Sequence, residues 1–306
     1  MREWLYQQKR RIQKTIYSLY YKYANNRYSI AFRQRSEKSL YEADASGKGF
    51  ILVPYTLRYW MADPFLFKYK NTNYIFAELY DKKKAKGVLG YAELKGNRCG
   101  RFHVCLEEKF HLSYPCVYQR DDDIYMVPET KENNSAMIYK AVEFPRKWEK
   151  YQMLCEESCV DTTPFTYNGE NYFFTTIANE HSTDDNLFLI HEESGTVTKL
   201  LDKNLCLRSA GHVIYDKEQL IRPSQDDTVY GDAVIFNKII EFKGNAYKEI
   251  PYKRVLVLDK SNKEESICIE LVNNKKNIGF NGLHTYNVNE DYEVIDLRHP
   301  RLKKRF

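Results

Sequence analysis

Asp63, Glu129 and Asp161 are the carboxylates of this 306-residue chain whose setting best suits acid–base chemistry. Asp63 sits in Trp60-Met-Ala-Asp-Pro, Glu129 ends Tyr125-Met-Val-Pro-Glu, and Asp161 begins Asp-Thr-Thr-Pro. Two carboxylates set across a sugar are the usual machinery for glycosidic-bond chemistry. One is protonated and assists the leaving oxygen; the other is ionised and serves as base or nucleophile. Crowding pushes their proton affinities apart, and a nearby Arg keeps its neighbour ionised. Arg222, in Arg222-Pro-Ser-Gln-Asp, offers such a cation, with Gln225 and Asp226 beside it. It either grips a substrate oxyanion bidentately or pins a loop to an acidic partner. His284 adds a titratable ring, and Tyr59, Trp60, Tyr114 and Tyr230 offer faces on which a sugar would stack. Catalysis is therefore expected at Asp63, Asp161 and Glu129, and substrate binding at Trp60, Tyr114, Arg222, Gln225, Asp226, Tyr230 and His284. The plainer alternative makes Asp63 and Asp161 local hydrogen-bonding residues ahead of a strand.

These side chains meet only if distant stretches are brought to one place, and a repeat does that. Five units share the pattern strand, polar turn, strand: 60–67 with 74–78, 113–118 with 124–130, 161–167 with 172–176, 210–215 with 220–226, and 282–287 with 292–296. Pro64, Pro115 and Pro164 mark matched places 51 and 49 residues apart, and His212 follows 48 later. His284 comes 72 beyond that, so the fourth unit carries an insertion within Phe242–Ile278. Further strands are expected at Val88–Leu94, Met137–Val142, Leu187–His191 and Val234–Phe242. A period near 50 with about four strands is the signature of a propeller blade. The expected fold is all-β, a five-bladed β-propeller over residues 46–306. The fifth unit supplies two strands, and Gly49–Tyr55 is expected to complete it and close the ring.

Charge is unevenly spread. Of the net +5, residues 1–35 hold nine Lys/Arg against one Glu, which leaves 38 basic and 41 acidic side chains in the rest. That body is a poor match for nucleic acid, so no nucleic-acid partner is expected. Leu5, Ile12, Ile16, Leu19 and Tyr23 recur at helical spacing, with Lys9, Arg10, Lys14 and Lys22 largely off their stripe. Residues 1–45 thus read as a basic amphipathic arm, helical over Arg2–Tyr23. Such a helix either lies on an anionic membrane surface or docks on the body with its basic face solvated. The seven cysteines lack zinc-site spacing, and no apolar segment follows the first basic residues. A reducing cytoplasmic setting follows, at the inner membrane face if the arm binds lipid. No Gly-rich phosphate loop occurs, so no nucleotide cofactor or metal is specified.

Trp60-Met-Ala-Asp-Pro resembles the opening of the invertase-like and arabinanase-like five-bladed glycoside hydrolases. That resemblance implies a nucleophile or general-base role for Asp63 and a transition-state or acid-tuning role for Asp161. It implies a channel-centre place for His284, and it puts the general acid later in the chain than Glu129. The ordered set Trp-Met-Ala-Asp-Pro, Ser-Tyr-Pro, Met-Val-Pro-Glu-Thr, Phe-Pro-Arg-Lys-Trp, Asp-Thr-Thr-Pro-Phe and Arg-Pro-Ser-Gln-Asp is more specific. It resembles the propeller found N-terminal in plant glucosamine inositolphosphorylceramide transferases and, alone or beside formyltransferase-like domains, in bacteria. That likeness implies a propeller in a glycan setting, with the plant transferase chemistry carried by a separate domain.

Three functions fit. The first is a glycosyltransferase in cell-surface polysaccharide or glycolipid assembly, acting on a carbohydrate with a lipid-linked acceptor. The second is a glycoside hydrolase or transglycosidase. The third is a glycan-binding propeller without chemistry of its own.

Overall fold

The computed structural model describes residues 27–35, 37–54, 56–178, 186–202, 207–226, 231–243, 246–257, 266–273 and 279–300. Among them there are five antiparallel-built sheets and one short 3-10 turn, Lys131–Asn133. The high share of Tyr and Phe, with near-continuous burial along the inner strands, makes strands the stable choice for these segments.

The first blade runs Tyr59–Tyr69, Thr72–Asp81 and Lys86–Lys95, with Arg98–Cys99 and His103–Leu106 both on its outer edge. The second runs Ser113–Arg120, Asp123–Glu129, Ala136–Glu143 and Lys147–Cys155. The third runs Cys159–Tyr167, Glu170–Ile177, Asn186–His191 and Val197–Asp202. The fourth runs Ile214–Asp216, Gln219–Gln225, Ala233–Lys243 and Ala246–Leu256, and Ser266–Cys268 adds a parallel fifth strand. The fifth blade is Tyr286–Val288 and Tyr292–Arg298, completed by Tyr28–Gln34 and Ile51–Leu52. This is the five-bladed propeller expected from the repeat, and the intermediate strands expected from the sequence are all present.

Three expectations change. No helix is found in the described part of the 1–45 arm; the stripe Arg2–Tyr23 itself lies outside the described residues. Tyr28–Gln34 is instead a propeller strand, paired along its whole length with Tyr292–Arg298. Ring closure is therefore made by Tyr28–Gln34, while the Gly49–Tyr55 stretch contributes only the outer strand Ile51–Leu52. Burial explains the preference: Ile30 and Phe32 are almost fully buried against the first blade, and Ala31 against the fourth. The matched prolines also shift. The register slips between Ala62 and Phe65, Ser113 and Cys116, and Val160 and Thr163, so Thr162, not Pro164, stands where Pro64 and Pro115 do.

Those slips are β-bulges, and each holds a non-glycine residue in the left-handed region: Asp63 (φ 49), Tyr114 (φ 48) and Asp161 (φ 50). Such a backbone costs on the order of 1–2 kcal/mol per residue. Its recurrence at one level of three blades re-aims three side chains: Asp63 and Asp161 line the pocket, and Tyr114 is buried within the ring. Apolar clusters pack each blade on the next: Phe65, Phe76, Tyr114 and Phe173 join the first three blades, and Phe236, Tyr286, Ile295 and Ala31 join the last two.

Candidate functional site

The bulges frame a pocket of about 250 Å³ at the channel end, lined by residues of all five blades. A larger groove of about 790 Å³, between Lys38–Ala45 and the fourth blade, shares no lining residue with it and mixes lysines with acids. The channel pocket is where the chemistry converges.

At its base stand Asp63, His284 and Asp296. His284 occupies in the last blade the place Asp63 holds in the first, two residues before the paired Tyr286 and Phe65 respectively. Asp296 contacts His284 Nδ1 at 2.6 Å and accepts the amides of His284, Thr285 and Asp63. His284 Nε2 lies 3.4 Å from Asp63, whose other oxygen accepts the Tyr114 amide at 3.2 Å. Burial opposes ionisation of all three. For Asp296, the His284 charge and the amide bonds overcome it and its pKa falls. Burial also works against the His284 charge, yet Asp296 and Asp63 raise its pKa. Asp63 is pushed up to about 7 by burial; His284 opposes this, and the Asp296 and Asp161 charges add to it. One ligand atom from each of the three lies within 4.8 Å of the others, a spacing a cation would accept.

The upper wall is acidic. Glu78 lies opposite Ala62 and Glu129 opposite Ser113, matched places on the second strands of neighbouring blades; the third blade has Thr176 there. Burial raises Glu78 well above the carboxylate range, with Asp63 and Glu129 adding to it. Burial and the Asp161 charge push Glu129 up to about 8, against Arg208. Asp161 is held otherwise. Its Oδ2 accepts Arg208 Nε at 2.8 Å and Gln225 Nε2 at 2.7 Å. Arg208 also lies 3.9 Å from Glu129. The pocket therefore sets Glu129, which burial makes the stronger holder of a proton, against Asp161, which Arg208 clamps, with Asp63 poised near neutrality between them.

Aromatic rings form the mouth. Trp60 stacks on Tyr80 with centroids 4.6 Å apart, and Tyr28 stacks on His284 at 4.3 Å. His111 sits beside them, 3.4 Å from Glu78.

Of the residues expected from the sequence, Asp63, Glu129, Asp161, Trp60 and His284 line the pocket together. Gln225 stands behind them, bonded to Asp161. Three lie elsewhere. Tyr114 is fully buried within the ring, its hydroxyl between Thr163 and the Gly211 amide, because its bulge position aims it down the channel. Arg222 forms a bidentate pair with Glu249 of its own blade and donates to the Leu207 carbonyl. Asp226 pairs with Arg254 at 2.7 Å. Tyr230 lies outside the described residues, and Tyr59 does not line the pocket. Sequence reasoning missed Glu78, Arg208, Asp296, Tyr28, Tyr80 and His111. For Glu78 a signal exists: it closes the apolar run 74–78 of its unit as Glu129 closes that of the next. For Arg208, in the loop before the fourth inner strand, the sequence carries none.

The family model for the N-terminal part of glucosamine inositolphosphorylceramide transferase 1 matches residues 55–269. The Oryza sativa subsp. indica glucosamine inositolphosphorylceramide transferase 1 is 28% identical over 205 residues, covering 62% of this chain and 28% of the rice protein. The Arabidopsis thaliana protein of the same name is 33% identical over 111 residues, covering 36% of this chain and 14% of its own length. The chain thus matches less than a third of these relatives. Among solved structures, RS223 β-xylosidase has a TM-score of 0.52 at 11% identity, covering 79% of this chain and 93% of that one. A GH62 hydrolase in complex with xylotriose has a TM-score of 0.51 at 10% identity, covering 79% and 92%. Those two share the fold with this chain. The match across residues 55–269 spans Asp63, Glu78, Glu129 and Asp161 and most of the ring, and the chain belongs to the family of the N-terminal domain of glucosamine inositolphosphorylceramide transferase 1.

Proposed function

We propose that this propeller is a carbohydrate-active enzyme that transfers a glycosyl group to an acceptor hydroxyl during glycolipid or cell-surface polysaccharide assembly. The observation that carries the reading is the split among the pocket carboxylates. Glu129, pushed to about 8, holds a proton at neutral pH, while Asp161 is clamped by Arg208 and Gln225. A proton-holding carboxyl beside one gripped by a guanidinium is the pairing that acid-assisted departure of a sugar oxygen uses. In this reading Glu129 donates the proton, Asp63 takes one from the acceptor hydroxyl, and Asp161 with Arg208 steadies the charge developing on the sugar. Trp60 and Tyr80 give the ring a stacking face. The cavity is smaller than the roughly 300–1,000 Å³ of drug-sized sites, a volume suited to one sugar residue.

The family's glycolipid name supports an acceptor of that class. The basic residues 2–23 support a position at the cytoplasmic membrane face, where lipid-linked acceptors lie. Hydrolysis is the second reading, and one observation favours it: four carboxylates face the pocket against Arg208 and Arg27, a poor setting for a diphosphate leaving group.

The test supplies donor sugars with a glycolipid acceptor in one arm and finished oligosaccharides in the other. Transfer in the first arm, lost in Asp63→Asn and Glu129→Gln variants that remain folded, is the expected result. Sugar release only in the second arm replaces transfer with hydrolysis. Binding without turnover in either arm makes the pocket a recognition site. Deleting residues 1–23 should abolish co-sedimentation with anionic liposomes; unchanged sedimentation removes the membrane assignment.

A further inference from the structure

Cys155 and Cys159 lie outside the sugar pocket, and their sulfur atoms are in contact at 3.0 Å. Cys155 ends the outer strand of the second blade, and Cys159 begins the inner strand of the third, two residues before Asp161. Between them runs the short loop Glu156–Ser158. Ser158 Oγ donates to Asn134 Oδ1, and the Cys159 amide donates to the Glu157 carbonyl, so the loop holds the two thiols face to face. Cys155 is partly exposed while Cys159 is buried. One sulfur is open to a reagent, and the second is shielded and touching the first.

We propose that Cys155 and Cys159 form a redox-active dithiol, a modification site that takes small-molecule disulfides of the glutathione class. Cys155 is the attacking thiol and Cys159 the resolving one. In the first step the Cys155 sulfur attacks one sulfur of the oxidised reagent; a protein–glutathione bond forms and one glutathione leaves with the Cys155 proton. In the second, the Cys159 sulfur attacks Cys155 Sγ, the protein disulfide forms, and a second glutathione leaves with the Cys159 proton. Two protein thiols are oxidised and one disulfide is reduced to two thiols.

The electrostatics agree with that division of labour. The Cys159 S–H bond, joined by the amides of Glu157 and Ala136, holds the Cys155 thiol below its ordinary value against burial. The Cys159 thiol is raised by its bond to Cys155 and by burial. Cys99 and Cys105, by contrast, are raised by burial, and among the described residues they have no thiol partner in contact. The closed disulfide joins the strand ending the second blade to the strand carrying Asp161, so oxidation links the two blades that supply Glu129 and Asp161.

The full chain is incubated with oxidised glutathione and digested with a protease that cuts after Glu, which separates the two cysteines at Glu156 and Glu157. The expected product is a pair of peptides joined through Cys155 and Cys159, two hydrogens lighter than the reduced pair and released by dithiothreitol. Cys159→Ser should accumulate a stable glutathione adduct on Cys155. The exposed Cys268 reports that the oxidant is active. Glutathione on Cys268 with the 155 and 159 peptides unlinked in the wild type overturns the proposal. A Cys159→Ser adduct that maps away from Cys155 overturns the assignment of the attacking thiol. The wild-type mapping stands whether or not the variant folds.

Discussion

His284 and Asp296 meet at 2.6 Å in the channel centre, and the same carboxylate accepts the amide of Asp63 from the neighbouring blade. One side chain thus fixes the ring of the last blade and the bulge of the first. Asp296 has a lowered pKa and His284 a raised one. The Asp296 contribution to stability is therefore present above the unfolded Asp value of about 3.9 and lost as pH falls through its lower folded value. The His284 contribution is present below about 6.5 and lost as pH rises through its higher folded value. Asp296→Asn should lower stability by about 3–5 kcal/mol near neutral pH, the cost of breaking a buried pair. It should also flatten both pH limbs and lower the His284 imidazole titration. Urea unfolding across pH and the imidazole NMR signals measure these.

Much of this centre could be read in the sequence, for a physical reason. Three blades repeat a bulge and a second strand at one level, so Asp63 and Asp161 fall at matched bulge places and Glu129 on the strand beside them. Glu78 was equally legible by position but stood without a motif. Asp296 lies inside the strand Tyr292–Arg298, where nothing in the sequence marks it, and only the fold puts it against His284. Arg222 misled because a cation next to a proline in a polar run looks the same whether it faces substrate or, as here, Glu249. Tyr28–Gln34 was hidden by charge: its Arg33 counts toward a basic arm, yet it is buried against Glu293 and Phe50.

Arg33 and Glu293 close the ring. The guanidinium meets Glu293 Oε2 at 2.6 Å and donates to the carbonyls of Ser46 and Lys48, while Glu293 Oε1 accepts from Tyr286 and the Leu40 amide. Both side chains of the pair are nearly dry, so losing one strands the other. Arg33→Met should cost about 3–5 kcal/mol in urea unfolding, and Arg33→Met with Glu293→Leu much less than twice that. Equal, additive losses would show that the pair is not a unit.

Glu78 should be a stability liability kept for the pocket. Its pKa is raised by burial and by Asp63 and Glu129, so the folded state holds a proton the unfolded chain releases. Stability therefore falls as pH rises from the unfolded Glu value of about 4.3 toward the raised folded value. Glu78→Gln removes that loss. At pH 8 the variant should melt about 2–4 °C above wild type, the shift that about 1 kcal/mol brings in a domain approaching this size, and the gap should vanish near pH 4. A gap that is constant with pH would assign the effect to packing.

The pH profile of turnover tests the acid–base pair without removing it. With Glu129 near 8 and Asp63 near 7, kcat/KM should rise through about 7 as the base ionises and fall through about 8 as the acid loses its proton. Those limbs belong to the coupled cluster as a whole. Lys131, in the turn after Glu129, is a handle on one of them. Its charge lowers the Glu129 pKa, from a partly exposed position outside the pocket lining. Lys131→Ala should therefore move the alkaline limb upward by a fraction of a pH unit and leave the acidic limb in place. Added salt should shrink the difference between the two proteins, since the interaction reaches solvent. A shift of the acidic limb instead would exchange the roles of Glu129 and Asp63.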